Sequence, residues 1–438
     1  KNMDQNVLIR VFDRDLNFLG EVDDYISLVY RRRWSNYNEF EITLGYRCDL
    51  LQANRFFILD EDPRRNGYVE YIQYNEEEGT YTVKGFSLLK LLENRITEPP
   101  TGKAYQSYKG TPAEVMAALV TVNAISPANS QRTIPKMALG ETMPAGDSMT
   151  YESRYNVLVE DLKAIAGTYG LGIEVELDWQ NQKLRFTVRE GVDHSAVQDE
   201  RPRVIFSDFY DNISNQIYTL DMSAEKNFAY VAGSGEGVDR TVITIDRAGA
   251  SGFDRKEIFV DARDVEEGNN EYTLLKDRGY SKLSTLLAAD SYDFTALDTT
   301  LQYLRNWDLG DLVTVMSEEL GMTIHERILE VEEAYDASGV QITPTVGEPE
   351  KTLQEKLTGS GTSYSGGSGG GGTSASTYTY IQTSPAQTWN IFHKLGRMPS
   401  VTVVDSAGTV VRGEVEYIDS NTIKVSFSGG FSGKAYLN

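Results

Sequence analysis

Residues 307–315, Trp307-Asp-Leu-Gly-Asp-Leu-Val-Thr-Val315, decide how this chain reads. A tryptophan and a turn-forming Asp-Leu-Gly-Asp run lead into an apolar, β-branched strand. A hairpin across Gly321 follows, then Arg327-Ile-Leu-Glu-Val-Glu-Glu333, a turn at Ala337-Ser-Gly339, and Val340-Gln-Ile-Thr-Pro344. Alternating apolar and polar residues bounded by glycine turns predict a meander of strands. The same order of strand, Gly turn, long strand, Gly turn, strand occurs earlier in the chain. There it runs from Phe56 through a turn at Asn66-Gly67, Tyr68 to Tyr74, a turn at Glu78-Gly79, and on to Val83. As a repeat this is weak, since hairpins share it by chance, but it points to two related β barrels.

Working outward from these two meanders, the short, regularly spaced strands of residues 1–100 predict a first β block, a barrel or sandwich. Val7–Phe12 ends at the Asp13-Arg-Asp15 turn, and strands at Tyr25–Tyr30, Glu39–Leu44, Phe56–Leu59, Tyr68–Tyr74 and Thr80–Gly85 follow. A helical patch, Phe86 to Arg95, closes the block before Pro99-Pro100. Residues 101–204 read as an inserted α+β domain. Thr111-Pro-Ala-Glu114 is a capping-box helix start. A second helix over about Asn156–Tyr169 carries one apolar face and ends at Gly170. Leu171–Leu177 and Lys183–Arg189 then pair as strands. Residues 205–350 hold the second barrel and return strands, with a helical interval at about Glu271–Ala289. Residues 351–376 read as a helix stub and a Gly/Ser-rich tether, which as a free chain spans about 20–25 Å. Residues 377–438 are a small C-terminal β module. There Trp389 and Ile391 alternate with polar neighbours, and His393-Lys394 lead into a turn at Leu395-Gly396. Pro399 blocks helix, and a strand through Val401, Val403 and Val404 breaks at Asp405–Gly408. The predicted fold class is mainly β with an α+β insertion.

A chain of 438 residues exceeds one compact core and predicts several domains. Its net charge of −23 argues against phosphate-neutralising nucleic-acid binding and against a polybasic membrane anchor; solubility alone is the plain alternative. No apolar run approaches a transmembrane helix, and no signal-peptide apolar region is seen near Lys1. The single cysteine, Cys48, excludes an intrachain disulfide framework and reads as a small core residue.

Catalytic chemistry finds little support. The three histidines, His194, His325 and His393, lack metal-ligand spacing, so no metal and no cofactor is expected. No G-x-S-x-G elbow occurs. Gly233-Ser-Gly-Glu-Gly237 lacks the Walker and dinucleotide spacings and reads as a hairpin turn. Asp208 and Asp211, beside Phe209 and Tyr210, are the least implausible carboxylate pair for glycoside cleavage, and solvated loop acids explain them equally. Ligand or partner contact is assigned to Trp389, His393, Arg397 and Tyr417 of the last module. Its aromatic residues must also supply its core, so Trp389 has both readings.

The run from Trp389 to Gly408 fits W-x-I-x-H-x-L-G-x-x-P-S-V-x-V-x-D-x-x-G at every position. It resembles the C-terminal module of tail, fibre and baseplate proteins of tailed bacteriophages. Three further segments resemble one family: Gly85-Phe-Ser-Leu-Leu-Lys-Leu-Leu-Glu-Asn-Arg-Ile96, Trp307 to Val315, and Arg327-Ile-Leu-Glu-Val through Ile342-Thr-Pro-Thr-Val-Gly-Glu348. Together they are similar to the baseplate hub, or distal tail hub, proteins of long-tailed phages and phage-tail-like particles. That resemblance implies two tail-hub β barrels side by side, and a homotrimer forming a pseudo-sixfold ring. It also implies a distal tail or tube protein above, and tip, spike or fibre proteins below. The implied location is the virion tail baseplate, assembled in the host bacterial cytoplasm. Many such relatives carry a long lysin or fibre extension, where this chain carries a tether and a small module. The alternatives are a tail-tip enzyme that degrades cell wall and a receptor-binding protein that takes cell-surface glycan through the module. If the barrels line a channel, the acidic balance predicts a negative lumen.

Overall fold

The computed structural model describes residues 7–349 and 378–437, apart from 104, 143–145, 266–267, 269–270, 298–299, 393–400, 406–409, 412 and 420–421. The chain divides into two compact units, residues 1–366 and 367–438.

In the first unit, β1 (Ile9–Phe12), β2 (Phe18–Val22), β3 (Ser27–Arg33), β4 (Glu39–Leu44), β5 (Phe56–Leu59), β6 (Asp62–Asn75) and β7 (Thr80–Phe86) make the first β block. Its alternating strands bury Ile9, Leu28, Tyr30, Ile42, Phe57 and Val83 in one core. The expected turn at Asn66-Gly67 is corrected by the structure. Asp60 and Glu61 turn the chain with positive φ of 52° and 75°, and β6 runs straight through Gly67. Gly67 serves close approach: a Cβ there would lie 2.2 Å from the Phe57 ring. The helical patch is a 3-10 helix over Leu88–Asn94 that buries Leu88, Leu89 and Leu92. Its i→i+3 bonds, such as Lys90 to Ser87, are the tighter ladder usual in short pieces.

The insertion contains β8 (Gln106–Gly110), α1 (Pro112–Val120), β9 (Met137–Thr142), β10 (Met149–Ser153), α2 (Leu158–Tyr169), β11 (Gly172–Asp178) and β12 (Lys183–Arg189). Thr111 and Glu114 form the predicted capping box on α1, and Gly170 ends α2 at φ 65°. β11 and β12 pair antiparallel as expected, and β9 joins β12 in parallel. Fully buried Asp161 accepts hydrogen bonds from Tyr151, Ser153 and Asn156, tying α2 to β10 and the turn after it.

After β13 (Ile205–Ser207) and β14 (Ile213–Asp221) the chain leaves the main sheet. It forms β15 (Phe228–Ala232), β16 (Val242–Asp246), β17 (Glu257–Asp261) and α3 (Glu271–Ser284). These build a separate three-stranded sheet, β16-β15-β17, with its own core of Ala229, Val231, Ile245, Leu275 and Leu283. Residues 205–350 therefore hold this unit besides the expected second barrel and return strands. Alternation identifies a strand but not the sheet it joins. The chain then returns through β18 (Ala289–Ala296), β19 (Leu312–Ser317), β20 (Met322–Asp336) and β21 (Gly339–Glu348).

Thirteen strands form one sheet, in the order β14-β18-β21-β20-β3-β4-β7-β6-β5-β1-β2, with β19 also on β20 and β13 on β19. The two meanders that repeat in sequence are β5-β6-β7 and β19-β20-β21, each with a long middle strand. β3 pairs with β20, so the two blocks are lobes of a single sheet. Among the described residues no pairing closes either lobe into a ring. Each lobe wraps its own core, the second built on Phe206, Phe294, Trp307, Val313 and Val331.

In the second unit β22 (Tyr378–Phe392), β23 (Val401–Asp405), β24 (Val410–Val411), β25 (Glu414–Asp419) and β26 (Thr422–Leu437) form a five-stranded sheet. Long β26 pairs with β22, β23 and β25, so it organises the module.

Candidate functional site, the seam between the lobes

The β3·β20 ladder sets three consecutive arginines against an acidic strand. Arg33 lies opposite Glu330, Arg32 opposite Val331, Arg31 opposite Glu332 and Tyr30 opposite Glu333. Period-two geometry sends Arg31 and Arg33 to one face and Arg32 to the other. On the first face Arg31 and Arg33 share Glu330, each at 3.0 Å, and Arg31 also bonds Glu332. Burial pushes the Glu330 carboxyl up, against the pull of Arg33 and Arg31, and the net direction is upward.

The other face is drier. Fully buried Arg32 donates to Tyr303 at 2.6 Å and to Asp308 at 2.7 Å. Arg64, held also by Asp62, reaches the second oxygen of Asp308 at 2.7 Å. Burial alone would raise Asp308, but the two guanidiniums outweigh it and hold the carboxyl at about 2. Beside this group, buried Arg65 pairs with fully buried Glu333, which also accepts from Tyr303 at 2.8 Å and Tyr335 at 2.7 Å. The two networks meet at Tyr303. Every charge in them is matched, as burial requires.

The Trp307–Asp311 turn therefore has a residue-by-residue explanation. Trp307 fills the second lobe's core against Phe206. Asp308 receives Arg32 and Arg64. Asp311 accepts from the Asp308 and Val192 backbone N–H groups at 2.9 and 3.1 Å, which fixes the turn. Gly310, at φ 93°, presents bare backbone to Trp34; a Cβ there would lie 2.1 Å from the indole. Gly172 of the insertion approaches Trp34 in the same way, at 2.6 Å. The indole N–H donates to the Gly170 carbonyl at 3.1 Å, and the Arg327 guanidinium lies over the ring. Trp34 thus fastens the first lobe, the insertion and the second lobe at one point. Neither it nor the arginine triplet was singled out from the sequence. The signal was three adjacent arginines in a strand, matched by Glu330, Glu332 and Glu333 in another.

Of the residues assigned to contact in the module, the structure brings Trp389 and Tyr417 into view, while His393 and Arg397 lie outside the described residues. Trp389 is fully buried among Phe427, Phe431 and Tyr380, and its indole N–H donates to the Ala386 carbonyl at 3.1 Å. Its ring is core and meets no solvent, which corrects its assignment as a contact. Tyr417 on β25 is 39% exposed. The tether lies outside the described residues.

The candidate carboxylates Asp208 and Asp211 belong to a short 3-10 turn. Asp208 accepts from the N–H of Phe209 at 2.9 Å and of Glu318 at 3.5 Å. Slight burial pushes its carboxyl up, but these bonds outweigh it and hold it below its ordinary value, unlike a proton-donating acid. His194 bonds the Pro202 carbonyl and His325 the Thr314 hydroxyl. Among the described residues no group of three or more His, Cys, Asp or Glu side chains could hold a metal, and no helix is long and apolar enough to cross a membrane. The Gly233–Gly237 stretch turns the chain between β15 and β16. Cys48 is buried.

A two-lobed sheet with α+β units set into its connections has counterparts among solved structures. Its fold is similar to the 43 kDa tail protein of prophage MuSo2 from Shewanella oneidensis, at 12% identity and a TM-score of 0.51, over 78% of this chain and 98% of that one. The tail protein from Neisseria meningitidis MC58 is also similar, at 15% identity and a TM-score of 0.49 over 78% and 96% of the two chains. So is prophage tail protein gp18 from Listeria monocytogenes EGD-e, at 12% and 0.48 over 80% and 97%. The chain itself belongs to the family described as Siphovirus ReqiPepy6 Gp37-like protein, whose model matches residues 8–348. No curated protein matches it in sequence.

Proposed function

We propose that this chain is a structural hub at the distal end of a phage tail. Three copies form a pseudo-sixfold ring that joins the tail tube to its tip and lets genome or effector pass. The observation that carries this reading is the seam: two lobes built on the same meander are locked by matched buried charges into one rigid body, the shape needed to present two similar faces per subunit. A tail or tube protein binds above and tip proteins below, within the virion baseplate. Its role is non-enzymatic, and a cell-wall zymogram with the purified chain is expected to stay blank. The deciding experiment is the mass of the chain in solution and inside labelled particles, where threefold assembly is expected. A stable monomer at the tail tip overturns the reading. Exposed Tyr417 supports a second role, attachment to cell-surface glycan or a neighbouring tail protein through the C-terminal module. Glycan binding by residues 374–438, lost on Tyr417→Ala, tests it.

A further inference from the structure

Apart from three-residue β13, a very short edge, the main sheet ends in two strands that each pair on one side only among the described residues. β14 pairs with β18 alone, and β2 pairs with β1 alone. Free strand edges invite pairing, and proteins usually blunt them with lysine, proline or a cover. These two are not blunted in that way. Beyond the irregularity at Ser214/Ile217, β14 offers Ile217-Tyr-Thr-Leu-Asp221, with Ile217 59% and Leu220 54% exposed. No lysine, arginine or proline lies in that stretch. β2, Phe18-Leu-Gly-Glu-Val22, has Phe18 54% exposed, and its one charge, Glu21, is taken up by Arg10 at 2.9 Å. Both free stretches are five residues long.

We infer that the β14 edge of one copy pairs with the β2 edge of the next, so that the sheet continues from subunit to subunit. The inference rests on the ring reading above and names the surface that makes the ring. A second copy is the occupant that suits both edges at once. The two lie at opposite ends of one strand path, so pairing head to tail uses each once. Repeated around a closed ring it leaves neither of these two open, whereas a different partner on either strand leaves the other bare. Apolar Ile217 and Leu220 would be covered with Phe18 and Leu19, removing exposed hydrophobic surface along with unpaired backbone groups.

The test uses the full chain, whose only native cysteine is buried. Leu19→Cys combined with Thr219→Cys, treated with a short bis-maleimide, should give covalent trimers of the 48.9 kDa chain. Neither single variant should cross-link. In parallel, Ile217→Lys with Leu220→Lys should keep its circular dichroism and lose self-association. Trimers that never cross-link, with the lysine variant still trimeric, overturn the inference and leave the ring reading standing. Dimers from Thr219→Cys alone overturn it in favour of two-fold β14–β14 pairing. An unsubstituted chain that stays monomeric at every concentration removes the ring reading and this inference with it. Should the lysine variant unfold, the cross-linking decides.

Discussion

Gly310 and Trp389 show how single positions set the limits of the two units. At Gly310 an added methyl meets both a left-handed backbone and the face of Trp34, which has no room to retreat because Gly172 lies against it too. Gly310→Ala is expected to cost roughly 2–4 kcal/mol from strain and overpacking together, read as a lower urea midpoint with unchanged slope. Trp389→Ala in the module removes the ring about which Phe427 and Phe431 pack at 5.1 Å. A loss of roughly 3–5 kcal/mol follows, enough to unfold a small five-stranded unit. The check is module proteolysis, with residues 1–350 staying resistant. A folded module that merely loses binding would return Trp389 to the role of a contact.

At the scale of strands, the β3·β20 ladder depends on matched burial rather than on ion pairs as such. Glu333→Gln leaves Arg65 charged, buried and short of its counter-charge, at a cost of roughly 3–5 kcal/mol. Thermal unfolding of the variant measures it. Replacing Arg65 and Glu333 together by apolar residues of similar volume should recover much of that loss. The seam also has a pH signature. Asp308 is depressed from 3.8 to about 2, so its contribution is fully present above its unfolded value and is lost as pH falls through about 2. One depressed carboxylate of this size accounts for about 2 kcal/mol. Wild type should therefore lose stability between about pH 4 and 2 more steeply than Asp308→Asn, which should be weaker at neutral pH and flatter in acid.

Much of this scale was legible in sequence. The α1 capping box, the end of α2 at Gly170, the β11–β12 pair and both meanders follow from local chemistry and periodicity. The misplaced turn at Asn66-Gly67 shows where local signals fail. The dipeptide favours a hairpin, yet Gly67 is there to admit the Phe57 ring, a demand set by tertiary packing. The β15–β17 unit was unreadable as a separate body for the same reason. The seam was half legible: its acids and arginines were visible as charges, but only the fold brings residues 301 positions apart into contact.

For the whole molecule, the partition at residues 366 and 367 predicts independent behaviour of the two units. A chain ended after Leu357 should fold and assemble into particles, while adsorption to cells or attachment of the tip weakens. Particle counts and adsorption assays separate the two effects. Loss of assembly would mean that the module belongs to the hub.

The distance along the chain between β3 and β20 also matters while the protein is being made. A ribosome adds about 5–20 residues per second, so the 301 positions separating Arg31 from Glu332 take roughly 15–60 s to emerge. Throughout that interval β3 waits with one side bare. Arg31, Arg32 and Arg33 stand on that waiting strand, and charge is what keeps an unpaired strand from joining a stranger. The triplet that locks the finished molecule is thus also its guard during synthesis. Its release comes only with the acids of β20, near the end of the sheet, so that the first lobe cannot be sealed before the second is made.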